Sequence, residues 1–131
     1  MRLLALRVVL LAMAAGEAFG GFTQVFRAQR MSRFTGRPYD AAYHGVVADF
    51  GLYNLAMALL LALSARDPVH DVVVLRVAIV LYAAHGATHL LRWLGVYYGG
   101  ETRIPTRPPS AELRDALPLL AALAAMLLLY P

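Results

Sequence analysis

The chain has no cysteine, no lysine, one tryptophan and only 15% charged residues across 131 positions. Without cysteine, disulfides, thiolate metal ligation and thiol redox chemistry are excluded. Charge that sparse, against about 25% in an average soluble domain, leaves little polar surface for packing in water. Hydrophobic residues make up 60% of the chain, and mean hydropathy is +0.60. This is the profile of a membrane protein. All 12 basic residues are arginine, a compositional bias that carries no functional reading. The net charge of +4 does not imply a nucleic-acid partner. Most of it falls in short loops between apolar runs, as membrane topology predicts.

What the chain does have is long apolar stretches. Spanning a bilayer takes about 20 residues, and four segments reach that scale: 3–26, 41–65, 71–98 and 113–130. They are separated by "RAQRMSRFTGRPYD", "RDPVHD" and "GGETRIPTRPPSAELRD", each rich in turn formers or charge. The expectation is one all-α domain over 1–131, a polytopic membrane four-helix bundle. Ser110 is the expected N-cap of the last helix, and Pro118 is expected to kink it or restart its first turns. Arg27, Arg30, Arg33, Arg37, Arg103 and Arg107 lie in the first and third loops. By the positive-inside rule those loops face the cytoplasm and both termini lie outside. A rival reading makes the first 20 residues a cleaved signal peptide, but Arg7 interrupts its core and apolar character continues through "GFTQVF".

Ionisable groups inside spans are costly and mark functional sites or interior contacts. In the third span Tyr82, His85, His89 and Arg92 share one helix face through steps of three and four residues. In the first, Glu17, Gly21 and Gln24 share a face, while Ala12, Gly16 and Gly20 form a small-residue row suited to close helix approach. The second span carries His44, Asp49, Tyr53 and Asn54. His44 and Asp49 lie about 140° apart around the helix, too far to share an ion. At about 1.5 Å per residue, Glu17, Asp49 and His89 fall about 12–14 Å below the cytoplasmic surface, which predicts one polar cluster.

Several chemistries fit that cluster. Glu17, Asp49, His85 and His89 are candidate metal ligands for Zn or non-haem iron. The H-x-x-x-H pair lacks the Glu of H-E-x-x-H, so protease chemistry is unsupported. Metal-free acid–base catalysis on a lipid-like molecule is the second reading. Glu17 or Asp49 then acts as acid or base, His89 is its proton partner, and Tyr53, Asn54, Tyr82 and Arg92 are ligand-binding groups. Haem held by His44 with His85 or His89 fits less well, because their depths differ. The remaining reading is structural: Arg92 pairs with Glu17 or Asp49, and the chain is a non-catalytic accessory subunit. Proton passage is disfavoured, because "LPLLAALAAMLLLY" brings no polar lining. Arg76 is expected to snorkel, Trp93, Tyr97 and Tyr98 to form an interfacial belt, and His70 to be a plain loop residue.

With "YHGVVADFGLYNLAMALLL" and the later "HGATHL", the chain resembles small four-helix bacterial membrane proteins of the broadly DoxX-like kind. The resemblance implies a four-helix bundle in a bacterial inner membrane and, for some relatives, association with a membrane redox complex. It brings no catalytic residues with it. The combined expectation is a metal or lipid-like ligand held within the bilayer, with enzymatic activity left open.

Overall fold

The structure is a computed structural model and describes residues 1–35, 41–95 and 109–130. Among these residues it is all-helical: α1 Arg2–Phe26, α2 Ala28–Thr35, α3 Ala41–Arg66, α4 Val72–Trp93 and α5 Pro109–Leu129. By length and composition, α1, α3 from His44 and α4 are apolar and long enough to cross a membrane. The fifth helix is of similar length but carries Glu112, Arg114 and Asp115 in its first turns.

Local chemistry sets the helix ends. The first long helix stops where Arg27 leaves helical geometry at φ −138°, its N–H still bonded to the Thr23 carbonyl at 2.8 Å. The chain then turns directly into α2, an unexpected short helix within the first loop. It is strongly amphipathic: Ala28 and Ser32 are buried one turn apart, whereas Arg30 and Arg33 are exposed. The third helix ends before Asp67-Pro68, where the proline ring disfavours helical geometry in the preceding residue. In that turn Asp67 accepts the His70 backbone N–H at 3.3 Å and meets His70 Nδ1 at 2.6 Å. The His70 backbone donor, helped by its imidazole, holds the Asp67 carboxyl below the ordinary 3.8. His70 therefore clamps the α3–α4 turn.

Two expected boundaries need correction. The span placed at 71–98 ends as a helix at Trp93, because Gly95 adopts φ +81° and its N–H closes onto the Arg92 carbonyl at 3.0 Å. Only glycine takes that conformation without strain, which makes it a common helix stop. Tyr97 and Tyr98 lie outside the described residues. The last helix begins at Pro109, so Ser110 is inside its first turn and does not cap it. Proline suits a first helical position because its missing N–H would have had no intrahelical partner. Pro118 sits within a continuous helix.

The long helices run up, down, up, down. Arg2 Nη2 donates to the Leu128 carbonyl at 2.9 Å, and Arg76 Nε donates to the Tyr130 hydroxyl at 2.7 Å. Both contacts lie at the end of the bundle that holds the termini. Helix α1 packs chiefly on α3 and α4 chiefly on α5, with thinner α1–α5 and α3–α4 seams. That leaves α1 and α4 on a diagonal. The main apolar core fills the half nearer the termini: Leu6, Leu10, Ala14, Met57, Leu61, Ala65, Leu75, Ala78, Tyr82 and Met126. Outward faces stay apolar, with Phe19 76% and Val80 65% exposed, as lipid-facing positions would be.

The close approach of α1 and α3 is made by Gly21 and Gly51. A Cβ on Gly21 would lie 2.7 Å from the Gly51 carbonyl oxygen, and one on Gly51 would lie 2.9 Å from that of Gly21. The expected Ala12, Gly16 and Gly20 row does not form this seam. Ala12 and Gly16 are exposed, and a Cβ on Gly20 would meet only Asn54 Nδ2, at 3.8 Å, among the described residues.

Candidate functional site

Helix α4 carries the polar groups inward on the stripe its spacing predicts. Tyr82, 6% exposed, reaches across the α1–α4 diagonal and donates to Glu17 Oε1 at 2.5 Å. A phenol of α4 and a carboxyl of α1 therefore meet across the bundle, whereas Tyr53 of α3 is 40% exposed.

One turn along α4, His85 Nε2 and His89 Nε2 are 3.2 Å apart. The other ring nitrogen of His89, Nδ1, is 2.7 Å from Glu112 Oε2. His89 and Glu112 side chains are only 12% and 9% exposed. Glu112 projects from the first turn of α5, where the positive end of the helix dipole favours a carboxylate. An ionised carboxylate can only accept, so His89 Nδ1 carries the donated proton. In neutral His89, Nε2 is then the acceptor, and His85 Nε2–H donates to it. In that tautomer the three groups form one directional chain, His85 to His89 to Glu112, whereas a protonated His89 donates through both nitrogens. Counting back from Trp93 at 1.5 Å per residue, His89, His85 and Tyr82 lie about 6, 12 and 16 Å inside the helix end.

The remaining expected residues are distributed differently. Asp49 is exposed on α3. Sharing a depth with Glu17 and His89 does not bring it to their side of the helix. Asn54 is buried and donates to Gln24 Oε1 at 3.0 Å, forming an amide pair between α1 and α3. Its own Oδ1 is buried without a partner. Arg92 is half-buried near the end of α4 and forms no ion pair with Glu17 or Asp49. His44 lines a pocket among α1, α2 and α3, whereas His85 engages His89. Arg76 and Trp93 are exposed near opposite ends of α4.

Among the described residues no group of three or more His, Cys, Asp or Glu is placed to hold a metal ion. Glu17, Asp49, His85 and His89 thus do not converge as a ligand set. Glu17 is engaged by Tyr82, Asp49 faces outward, and both nitrogens of His89 are directed at protein partners. The residue that sequence reasoning missed is Glu112. It stands one position before the expected start of the last span and looked like a loop charge. The available signal was an acidic residue three positions after a proline that can open a helix, a pattern of helix first turns. Its presence also means that the last helix brings a polar group to the interior, contrary to expectation.

No family model, curated protein or solved structure matches the chain. The DoxX-like resemblance therefore rests on the quoted residues alone.

Proposed function

We propose that the chain is a four-span membrane protein whose site exchanges protons with a lipid-like molecule dissolved in the bilayer. In this reading Pro109–Leu129 is the fourth span, the arginine-rich ends face the cytoplasm and the termini lie outside. The observation that carries it is the continuous His85–His89–Glu112 chain. A lone buried histidine needs one partner. Two imidazoles and a carboxylate in series do what a single hydrogen bond cannot, which is to move a proton and then reset.

When the ligand gives a proton to His85 Nδ1, the His85 Nε2 proton moves to His89 Nε2, the His89 Nδ1 proton passes to Glu112, and Glu112 releases it to water, so both imidazoles stay neutral. The same steps in reverse restore the starting tautomers. Glu112, itself nearly buried, is the member of the chain in the first turn of α5 and so the one nearest the water beyond the helix end. The inner groups are about 12–16 Å from that end, within hydrocarbon depth. A molecule exchanging protons with them would reach them from the lipid. Glu17, steadied by the Tyr82 hydroxyl, is the acid or base nearest the axis. Tyr82 already gives its hydroxyl proton to Glu17 and so orients that carboxyl, which leaves Tyr53 as the candidate donor to a ligand oxygen. Among the described residues no converging ligand set favours a metal ion.

The test is 15N-histidine NMR on the full chain in lipid nanodiscs, comparing wild type with Glu112→Gln. A working relay requires the His85 resonances to move along with those of His89, although Glu112 touches only His89. If His85 is unaffected, the chain is broken and the pairs are separate helix contacts, as in an accessory subunit.

A further inference from the structure

On the α1–α3 side of the same end, a cavity of about 560 Å³ opens where α1 bends into α2. Phe26, Arg27, Gln29, Arg30, Arg33 and His44 are among its lining residues. Arg27 stands at the non-helical junction of α1 and α2, and Arg30 and Arg33 lie one turn apart on α2, so the crook gathers three guanidinium groups. Like charges one turn apart destabilise a helix. Among the described residues none of the three forms an ion pair with a carboxylate, although salt bridges form elsewhere at Asp67, Glu112 and Asp115. The pocket gathers positive charge around a space that can hold a ligand, and its size falls within the range of small-molecule sites.

Its position narrows the ligand further. The pocket lies where α1 ends and where the apolar part of α3 begins at His44. That is headgroup level if these helices span a bilayer, as the reading above holds. The exposed Phe22 and Phe26 rings, with centroids 4.8 Å apart, run from the pocket along the outer face of α1. An acyl chain hanging from a phosphate in the pocket would lie against them. Arginine suits this role, because its planar fork binds phosphate oxygens in pairs.

We infer that the crook between α1 and α2 is a binding site for a phosphate-bearing anion, formed by Arg27, Arg30 and Arg33, and best suited to an anionic phospholipid headgroup. The site is separate from the proton chain on α4 and α5, so either can fail without the other.

The test is native mass spectrometry of the full chain released from neutral detergent after incubation with phosphatidylglycerol or phosphatidylcholine. Wild type is expected to retain phosphatidylglycerol about tenfold better. Arg30→Gln should cut that retention about fivefold, while Arg66→Gln, at the opposite end of α3, leaves it unchanged. Inorganic phosphate at millimolar concentration distinguishes the source. Displacement assigns the pocket to soluble phosphate, and persistence assigns it to the lipid headgroup. Equal retention of the two lipids by wild type overturns the site, and this comparison needs no variant to fold. Equal losses in Arg30→Gln and Arg66→Gln also overturn it, because diffuse charge would then suffice.

Discussion

The two helix pairs are built on the same antiparallel plan and solve opposite problems. Where α1 crosses α3, Gly21 and Gly51 bring backbone against backbone, and among the described residues Gln24 and Asn54 form an amide pair across the seam. Where α4 meets α5, Gly86 faces the side chains of Leu119 and Leu120, not backbone, and the seam then opens toward His85, His89 and Glu112. The first pair gains stability from close packing, the main force between helices in lipid. The second gives up some of that contact to hold titratable groups in a row. A glycine at a crossing does not by itself show which kind of seam a helix pair forms.

That contrast can be broken most forcefully at Gly21. In Gly21→Leu the new Cβ meets the Gly51 carbonyl oxygen at 2.7 Å, and backbone cannot turn aside. The expected loss is about 3 kcal/mol, read as thermal unfolding in detergent. Gly86→Ala comes tightest against the Leu120 Cδ2 tip, at 3.1 Å, a side-chain end that can give way, so its change should stay below about 1 kcal/mol. Gly16→Ala has nothing within 4 Å and should match wild type or exceed it. Equal damage at Gly21 and Gly86 would erase the distinction between the seams.

Smaller effects sharpen it. Glu112→Leu leaves His89 Nδ1 without its acceptor and should cost about 1–2 kcal/mol, near the upper end for polar contacts between membrane helices. Its unfolding curve should be read beside the imidazole resonances. Tyr82→Phe removes the single donor to Glu17 and should cost about 0.6 kcal/mol, the average for such contacts. A larger loss in Tyr82→Phe than in Glu112→Leu would shift the weight of the site to the bundle axis.

The smallest effect lies outside both seams. Asp67 is more acidic folded than unfolded, so its contribution is present above 3.8 and lost as pH falls through the lower folded value. Wild type should lose stability in that acid window more steeply than Asp67→Asn. Above about pH 5 the wild-type advantage should be constant with pH. A pH scan of the melting temperature checks both statements.

Much of the fold was legible because hydrocarbon sets a minimum length for an apolar helix. The ends at Phe26 and Arg66 fall within a residue of where the composition changes. The end at Trp93 was not legible, since apolar residues continue past it and only the φ of Gly95 stops the helix. The stripe on α4 was readable from spacing, and Tyr82 and His89 point inward as it implied. Asp49 was misplaced because depth along a helix says nothing about direction around it. Glu112 was missed because its value depends on a partner 23 residues away.

The sequence alone determined the helical class, the apolar lengths and the polar face of α4, because these follow from periodicity and from the cost of exposing backbone to lipid. Tertiary packing decided which polar groups met: Tyr82 with Glu17, His89 with Glu112, Asn54 with Gln24. A helix fixes the direction of its own side chains, but the group each one finds depends on how its neighbour is rotated and how far it has slid.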